Sequence, residues 1–549
     1  MSARFAAIAS VAALAAACVS APPPQSASYA DYLIGRIANQ RDDYPAAADR
    51  YFAALQRAPH DRGLIEGALL ASLAGGDVEA ARRAARMAPR QDAPAYADII
   101  RGAEALRAGR WNAAASALED VEGAATQQLA ARMVLVWARA AQGRLTEVNA
   151  ELEPMMSIRP YGALFAYQQA MALDFAGRGE EALQVYARAA DGGMWLPSGV
   201  ERRADLMTRL GDRDGAMALL NERNNRANPA LAAALARLEA GEAAASETLT
   251  PARGAASGLY GLAAIYLQEH DTQNGLAALT LARLLDPDFD AARLAFAQAQ
   301  STLGNVELAR ASLNGVGSNS PYAGSARMME AWVLLGAERE DEALSVARAA
   351  ADNGAADTRR SLADMYRNLN RFEEAEPIYS ELIGEDESDW RLHFSRGVAR
   401  ERLGRWDEAE ADLQRALELS PDQPDVLNYL GYTWVDRGEN LQEGLRLVER
   451  AAELRPQSGA IIDSLGWAHY RLGDYDRALL YLERAVELAP SDPTLNDHLG
   501  DVYWRLGRRI EARFQWEHAL MLEPDQPDLI ETKLERGLAP ETAPRTATR

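Results

Sequence analysis

The chain has 549 residues, with 58 Lys and Arg against 80 Asp and Glu, a formal net charge of −22 at pH 7. Its 48% hydrophobic and 25% charged residues belong to a folded chain, not to a disordered or collagen-like one. A charge this negative, with arginines scattered, argues against nucleic acid, which needs a concentrated basic surface. Cys18 is the single cysteine and Lys533 the single lysine. That excludes an intrachain disulfide and a multi-cysteine metal site. It also excludes a Schiff base or a phosphate-binding lysine loop, unless Lys533 supplies it.

At the N-terminus, Arg4 precedes the apolar stretch Phe5 to Ala17, about 13 residues, too short to span a bilayer but suited to a signal-peptide core. Cys18 follows, then the Pro/Ser-rich tether Val19 to Ser28. Leu14-Ala15-Ala16-Ala17-Cys18 resembles the bacterial lipobox, with Ala15 where the pattern prefers leucine. The resemblance implies cleavage before Cys18 and acylation there, a stable anchor when several chains are attached. The alternative is a plain cleaved secretory signal and a soluble periplasmic protein. Val19 is not the aspartate that retains lipoproteins at the inner membrane of enteric bacteria, so the expected site is the periplasmic face of the outer membrane. The expected layout is a signal peptide over 1–17 and a lipidated cysteine with its tether over 18–27.

The rest repeats itself. WDEAEADLQRALELSPD from Trp406, YDRALLYLERAVELAPSD from Tyr475 and RIEARFQWEHALMLEPD from Arg509 align, and Pro421, Pro456, Pro490 and Pro524 recur at spacings of 35, 34 and 34. Leu430-Gly431, Leu465-Gly466 and Leu499-Gly500 stand in one helix of each unit; Ala409, Ala478 and Ala512 stand at the helix crossing. Ala416, Ala451, Ala485 and Ala519 are a second small contact, and Gly444 replaces one crossing alanine. Proline ends the second helix because it cannot continue one, and Asp492-Pro493 is a helix-start signal. A period of 34 with these small residues resembles the tetratricopeptide repeat (TPR). With more drift it continues upstream through Ala375, Ala309, Ala282, Ala182, Ala114, Ala81 and Ala47.

The resemblance implies an all-α TPR solenoid, a right-handed superhelix of antiparallel helix pairs, with about fifteen repeat lengths after residue 27. The runs are divergent repeats over 28–220, a degenerate unit or hinge over 221–258, repeats over 259–389, well-matched repeats over 390–526, and a cap with a Pro/Thr/Ala tail over 527–549.

The sequence contains no HExxH, no GxSxG and no paired-histidine metal spacing. His469, His498 and His518 fall on different faces of neighbouring repeats. No enzyme activity, cofactor or metal is expected. Binding is expected along the first helices. Their groove positions carry Asn428, Tyr432, Val435 and Asp436, then Asp463, Trp467, Tyr470 and Arg471, then Asp497, Asp501, Trp504 and Arg505. This ladder is aromatic and acidic, and Tyr, Trp and Arg most often carry interface energy. The alternative is that Trp467 and Trp504 merely pack between units. Trp434 and Trp516 fall at core positions. The Lys/Asn pattern that clamps an acidic C-terminal peptide is absent, so a basic or amphipathic protein segment is the expected partner.

Ile461 to Asp525 resembles more closely the C-terminal repeats of exported proteobacterial TPR proteins, many of them outer-membrane lipoproteins. One group of that family partners the periplasmic carboxyl-terminal processing protease and scaffolds it with peptidoglycan hydrolases. The resemblance implies a non-catalytic adaptor anchored in the envelope. Alternatives are an assembly factor for an outer-membrane polysaccharide, pilus or barrel machine, an enzyme with a concealed site, or a cytoplasmic assembly protein.

Overall fold

The computed structural model describes residues 24–242, 249–352 and 354–539. Cys18, the signal stretch, the tether before Pro24 and the last ten residues lie outside them. Among the described residues there are 31 α-helices, one 3₁₀ turn and no strand. The chain divides into two compact units at residues 353 and 354, inside the stretch read as one run of repeats over 259–389.

One pair shows the local rules. The Gly459–Arg471 helix ends at Leu472-Gly473-Asp474. Gly473 adopts φ +80°, a left-handed position open to glycine at no steric cost. Asp474 then accepts a hydrogen bond from the Arg477 backbone N–H and starts the Tyr475–Leu488 helix. The next pair begins at Asp492, which accepts from Thr494 and Leu495, with Pro493 in the first turn. The crossing alanines lie where the repeat register requires. Ala47, Ala81, Ala114, Ala182, Ala309, Ala375, Ala409, Ala478 and Ala512 all have no exposed surface. Gly444 stands in for alanine because a Cβ there would meet the Gly431 carbonyl oxygen at 2.8 Å.

The second unit stacks five such pairs, from Ala356–Asn368 with Phe372–Glu385 to Pro493–Arg505 with Arg509–Met521, and closes with the single Pro527–Arg536 helix.

The first unit departs from a simple stack. Its Pro251–Gln268 and Thr272–Leu285 helices form a hairpin packed along the first helices of earlier pairs: Arg62–Ala74, Ala95–Arg107, Ala125–Ala141 and Gly162–Phe175. Both are buried on nearly every side, the signature of a helix inside a core. Residues 251–258, assigned by sequence to the degenerate segment, are the first two turns of this hairpin. Gly254, Gly258 and Gly261 line the face that meets the wall. A Cβ on them would strike the Trp137 ring at 2.1 Å, Met133 Sδ at 2.9 Å and Leu164 Cδ1 at 2.3 Å. Trp137 is itself fully buried and donates from Nε1 to Gln168 Oε1 at 2.7 Å. Hydrogen bonds tie the hairpin at intervals: Tyr96 Oη to Asn274 Oδ1 at 2.8 Å, Gln273 Nε2 to Asn39 Oδ1 at 2.8 Å, and Tyr266 Oη to the Thr126 carbonyl at 3.2 Å. Past the hairpin, Gln300 donates to the Ala74 carbonyl and Asn305 to that of Asp42, so the chain returns to its own first pairs.

Gly254→Val should therefore destabilise the first unit by about 1–3 kcal/mol through overpacking against Trp137. Urea denaturation would measure it; an unchanged midpoint would contradict the seating of this helix.

Candidate protein-binding groove

In the second unit the 34-residue step places equivalent side chains of successive first helices beside one another. Trp467 is the centre of the row. It is half-buried and stacks with Tyr470 at 4.6 Å and with His498 of the next pair at 4.1 Å between ring centroids. Its Nε1–H points to Asp436 Oδ1 at 3.4 Å, and Arg471 donates to the same carboxylate at 3.1 Å. Tyr470 Oη accepts from Arg505 Nε at 3.1 Å. Asn428 and Tyr432 are half-buried upstream. Burial raises the Tyr432 hydroxyl above its ordinary range, with Asp436 and Asp463 adding to it.

Several expected groove residues are elsewhere. Val435 is fully buried. Asp463 is also buried and receives His498 Nδ1 at 2.9 Å, so it joins two repeats instead of facing outward. Asp501 is buried too, accepting from Trp516 Nε1 at 3.0 Å and pairing with Lys533 Nζ at 2.8 Å. Asp497 pairs with the same ammonium at 2.7 Å. The one lysine of the chain thus pins the closing helix to the last pair. Residues beyond it cover Trp504: Gly537, at φ +71°, lies so close that a Cβ would enter the indole, and Ala539 accepts from Arg505 Nη1 at 2.8 Å. Arg509 sits over the Trp504 ring at 3.7 Å. Trp434 and Trp516 are in the core, as their positions predict.

Two corrections follow. The open row narrows to Asn428, Tyr432, Asp436, Trp467, Tyr470 and Arg471. Its carboxylates are also largely engaged: Asp436 pairs with Arg471, Asp463 meets His498, and Asp497 and Asp501 share the Lys533 ammonium. The row extends upstream to Phe394 and Val398, both half-buried. They lie 34 residues before Asn428 and Tyr432, so the period alone could have found them. In the first unit the first helices Arg62–Ala74, Ala95–Arg107, Ala125–Ala141 and Gly162–Phe175 face the unit's own hairpin.

His498 is the electrostatic hinge of the row. Burial works against its charged form, but the Asp463 carboxylate in contact, with Asp497 and Asp501 nearby, outweighs that and raises its pKa above 6.5. Asp501 is raised by burial, against the pull of Lys533. A histidine with a raised folded pKa contributes stability that is complete below its unfolded value and is lost as pH climbs through the folded one. The second unit should accordingly lose stability as pH rises from below 6.5 through the raised value, and His498→Gln should remove that part of the slope. Thermal unfolding across pH would measure both; identical slopes would contradict the pair.

Residues 360–424 and 404–459 match one tetratricopeptide-repeat family description and residues 461–492 match a second. A TPR repeat-containing protein of Pseudomonas aeruginosa is 32% identical over 160 residues, 29% of this chain and 27% of that protein. The BBSome complex member BBS4 of Bos taurus is 26% identical over 129 residues, 23% of this chain and 24% of that protein. A homologue of lipoprotein NlpI from Haemophilus influenzae is 46% identical over 52 residues, 9% of this chain and 17% of that protein. The matched stretches thus span about a quarter or less of these relatives. Among solved structures, a tetratricopeptide repeat protein from Parabacteroides merdae aligns with a TM-score of 0.38 at 16% identity, covering 45% of this chain and 97% of that one. The described residues are all-α, and residues 360–492 form a TPR solenoid of stacked helix pairs.

Proposed function

We propose that the protein is a non-catalytic scaffold anchored by lipid at Cys18 on the periplasmic face of the outer membrane. It binds an amphipathic segment of a partner protein on the row from Tyr432 to Arg471. TPR repeats imply a protein-binding scaffold. The observation that supports the binding site is the accessible part of that row: two tyrosines, a tryptophan and an arginine, the residue types that anchor protein interfaces, with Asp436 held by Arg471 and Asp463 by His498. The likeness to a lipoprotein homologue and the lipobox-like segment support the envelope anchor.

In its finer form, the scaffold brings cell-wall hydrolases or other envelope proteins to a periplasmic processing protease. Its mechanism is effective concentration: partners held on one body meet far more often than free ones. An assembly role in an outer-membrane polysaccharide, pilus or barrel machine is the second reading. A pull-down from envelope extract distinguishes them by the class of protein recovered.

Trp467→Ala should weaken partner capture by about tenfold or more, the loss expected at an interface anchor, while far-UV circular dichroism keeps its helical signal. Capture equal to wild type would move the site off this row. Cys18→Ser should release the protein from the membrane fraction into the soluble one; unchanged fractionation would refute the anchor.

A further inference from the structure

On the outer helices of three successive pairs of the second unit a charged pattern recurs that the last pair lacks. Arg415 pairs with Glu418, Arg450 with Glu453 and Arg484 with Glu487, the same i,i+3 ion pair in three successive repeats. In the fourth, those positions are His518 and Met521. Nearer the start of the Arg509–Met521 helix, Ile510 stands where the two preceding repeats carry Gln442 and Asp476, and Phe514 where earlier repeats carry Pro377, Ala411, Arg446 and Leu480. Ile510 is 83% exposed, Phe514 64%, Met521 72%, and Leu480 on the neighbouring Tyr475–Leu488 helix 64%.

At 3.6 residues per turn, Ile510, Phe514 and Met521 fall within about 40° of one another, a straight stripe roughly 16 Å long. Phe514 and Leu480 share one register position on the outer helices of successive pairs. Ile510, Phe514 and Met521 together expose an apolar patch on the order of 500 Å², the size of the largest patch on a typical monomer, which is often functional. The inward face of the same helix is supplied by Ala512, Trp516 and Ala519, and the stripe's one ring contact among the described residues is Phe514 with His518 at 6.4 Å between centroids.

We infer that this patch is the contact between two copies of the chain, with two Arg509–Met521 helices crossing about a twofold axis near Phe514. Area favours a second copy, and the local charges beside the patch permit one. Two such patches face to face remove roughly 1,000 Å² or more, the lower limit of a specific interface, and a twofold contact lets one self-complementary patch suffice. The surrounding charges are of both signs, Arg477, Arg484 and Arg513 against Asp476, Glu487 and Glu517. That rim suits an equally mixed surface better than a strongly acidic or basic partner, and the net charge of −22 opposes an anionic lipid surface. Pairing at this face would join two protein-binding rows in one particle.

Sedimentation equilibrium of the full-length chain, from nanomolar to micromolar concentration, tests this. The wild type should pass from monomer to dimer in the micromolar range. The triple change Ile510→Asp, Phe514→Arg and Met521→Glu installs the residue types of earlier repeats. It should raise the dissociation constant at least tenfold with unchanged helicity; if it disturbs folding, Phe514→Glu alone should give the same direction. Trp467→Ala should leave the mass unchanged. A wild type that stays monomeric throughout, or a folded patch variant that dimerises as well as wild type, would overturn the proposal.

Discussion

Helix backbones can approach closely only where the side chain between them is small, and both units depend on that constraint. The crossing alanines from Ala47 to Ala512 have no exposed surface. Where even alanine is too large, Gly444 meets Gly431 backbone to backbone. The Pro251–Gln268 helix uses the same chemistry on a larger scale: three glycines seat it on Trp137, Met133 and Leu164. A protein interior packed to crystal density tolerates little added volume at such places. Composition and architecture are therefore one fact seen twice, with small residues as the joints and large ones filling between them.

The two units spend their first helices differently. In the first, four successive first helices, from Arg62–Ala74 to Gly162–Phe175, are covered by the unit's own hairpin, tied by side-chain hydrogen bonds from Tyr96, Gln273 and Tyr266. In the second, the row stays open over Tyr432, Trp467 and Tyr470 and is closed at its end by Lys533 and Gly537. The carboxylates beside it serve the array: Asp463 holds His498 across a repeat boundary, and Asp497 and Asp501 hold the closing helix.

The sequence was most legible where repetition made it redundant. The period of 34, the crossing alanines, the turn glycines and the aspartate starts each reappear in several repeats, so drift in one unit is corrected by its neighbours. Helix-pair register and the buried places of Trp434 and Trp516 follow from this alone. The site was legible in part. Register brought Trp467, Tyr470 and Arg471 to one face, and the same step would have added Phe394 and Val398. Register could not say that Asp463 and Asp501 turn into contacts with His498 and Lys533, since those partners stand 35 and 32 residues away on other helices.

The sequence by itself determined the local joints: which residues bend the chain, start a helix, or let two helices touch. These depend on side chains within one turn or one repeat of each other, and their spacing is written directly in the chain. Only the tertiary structure decided what each row of helices faces. The glycines at 254, 258 and 261 look like poor helix formers in a degenerate stretch until Trp137 and Leu164, about a hundred residues earlier, are laid against them. Accessibility is a property of what covers a surface, and here the cover comes from segments far away in the sequence.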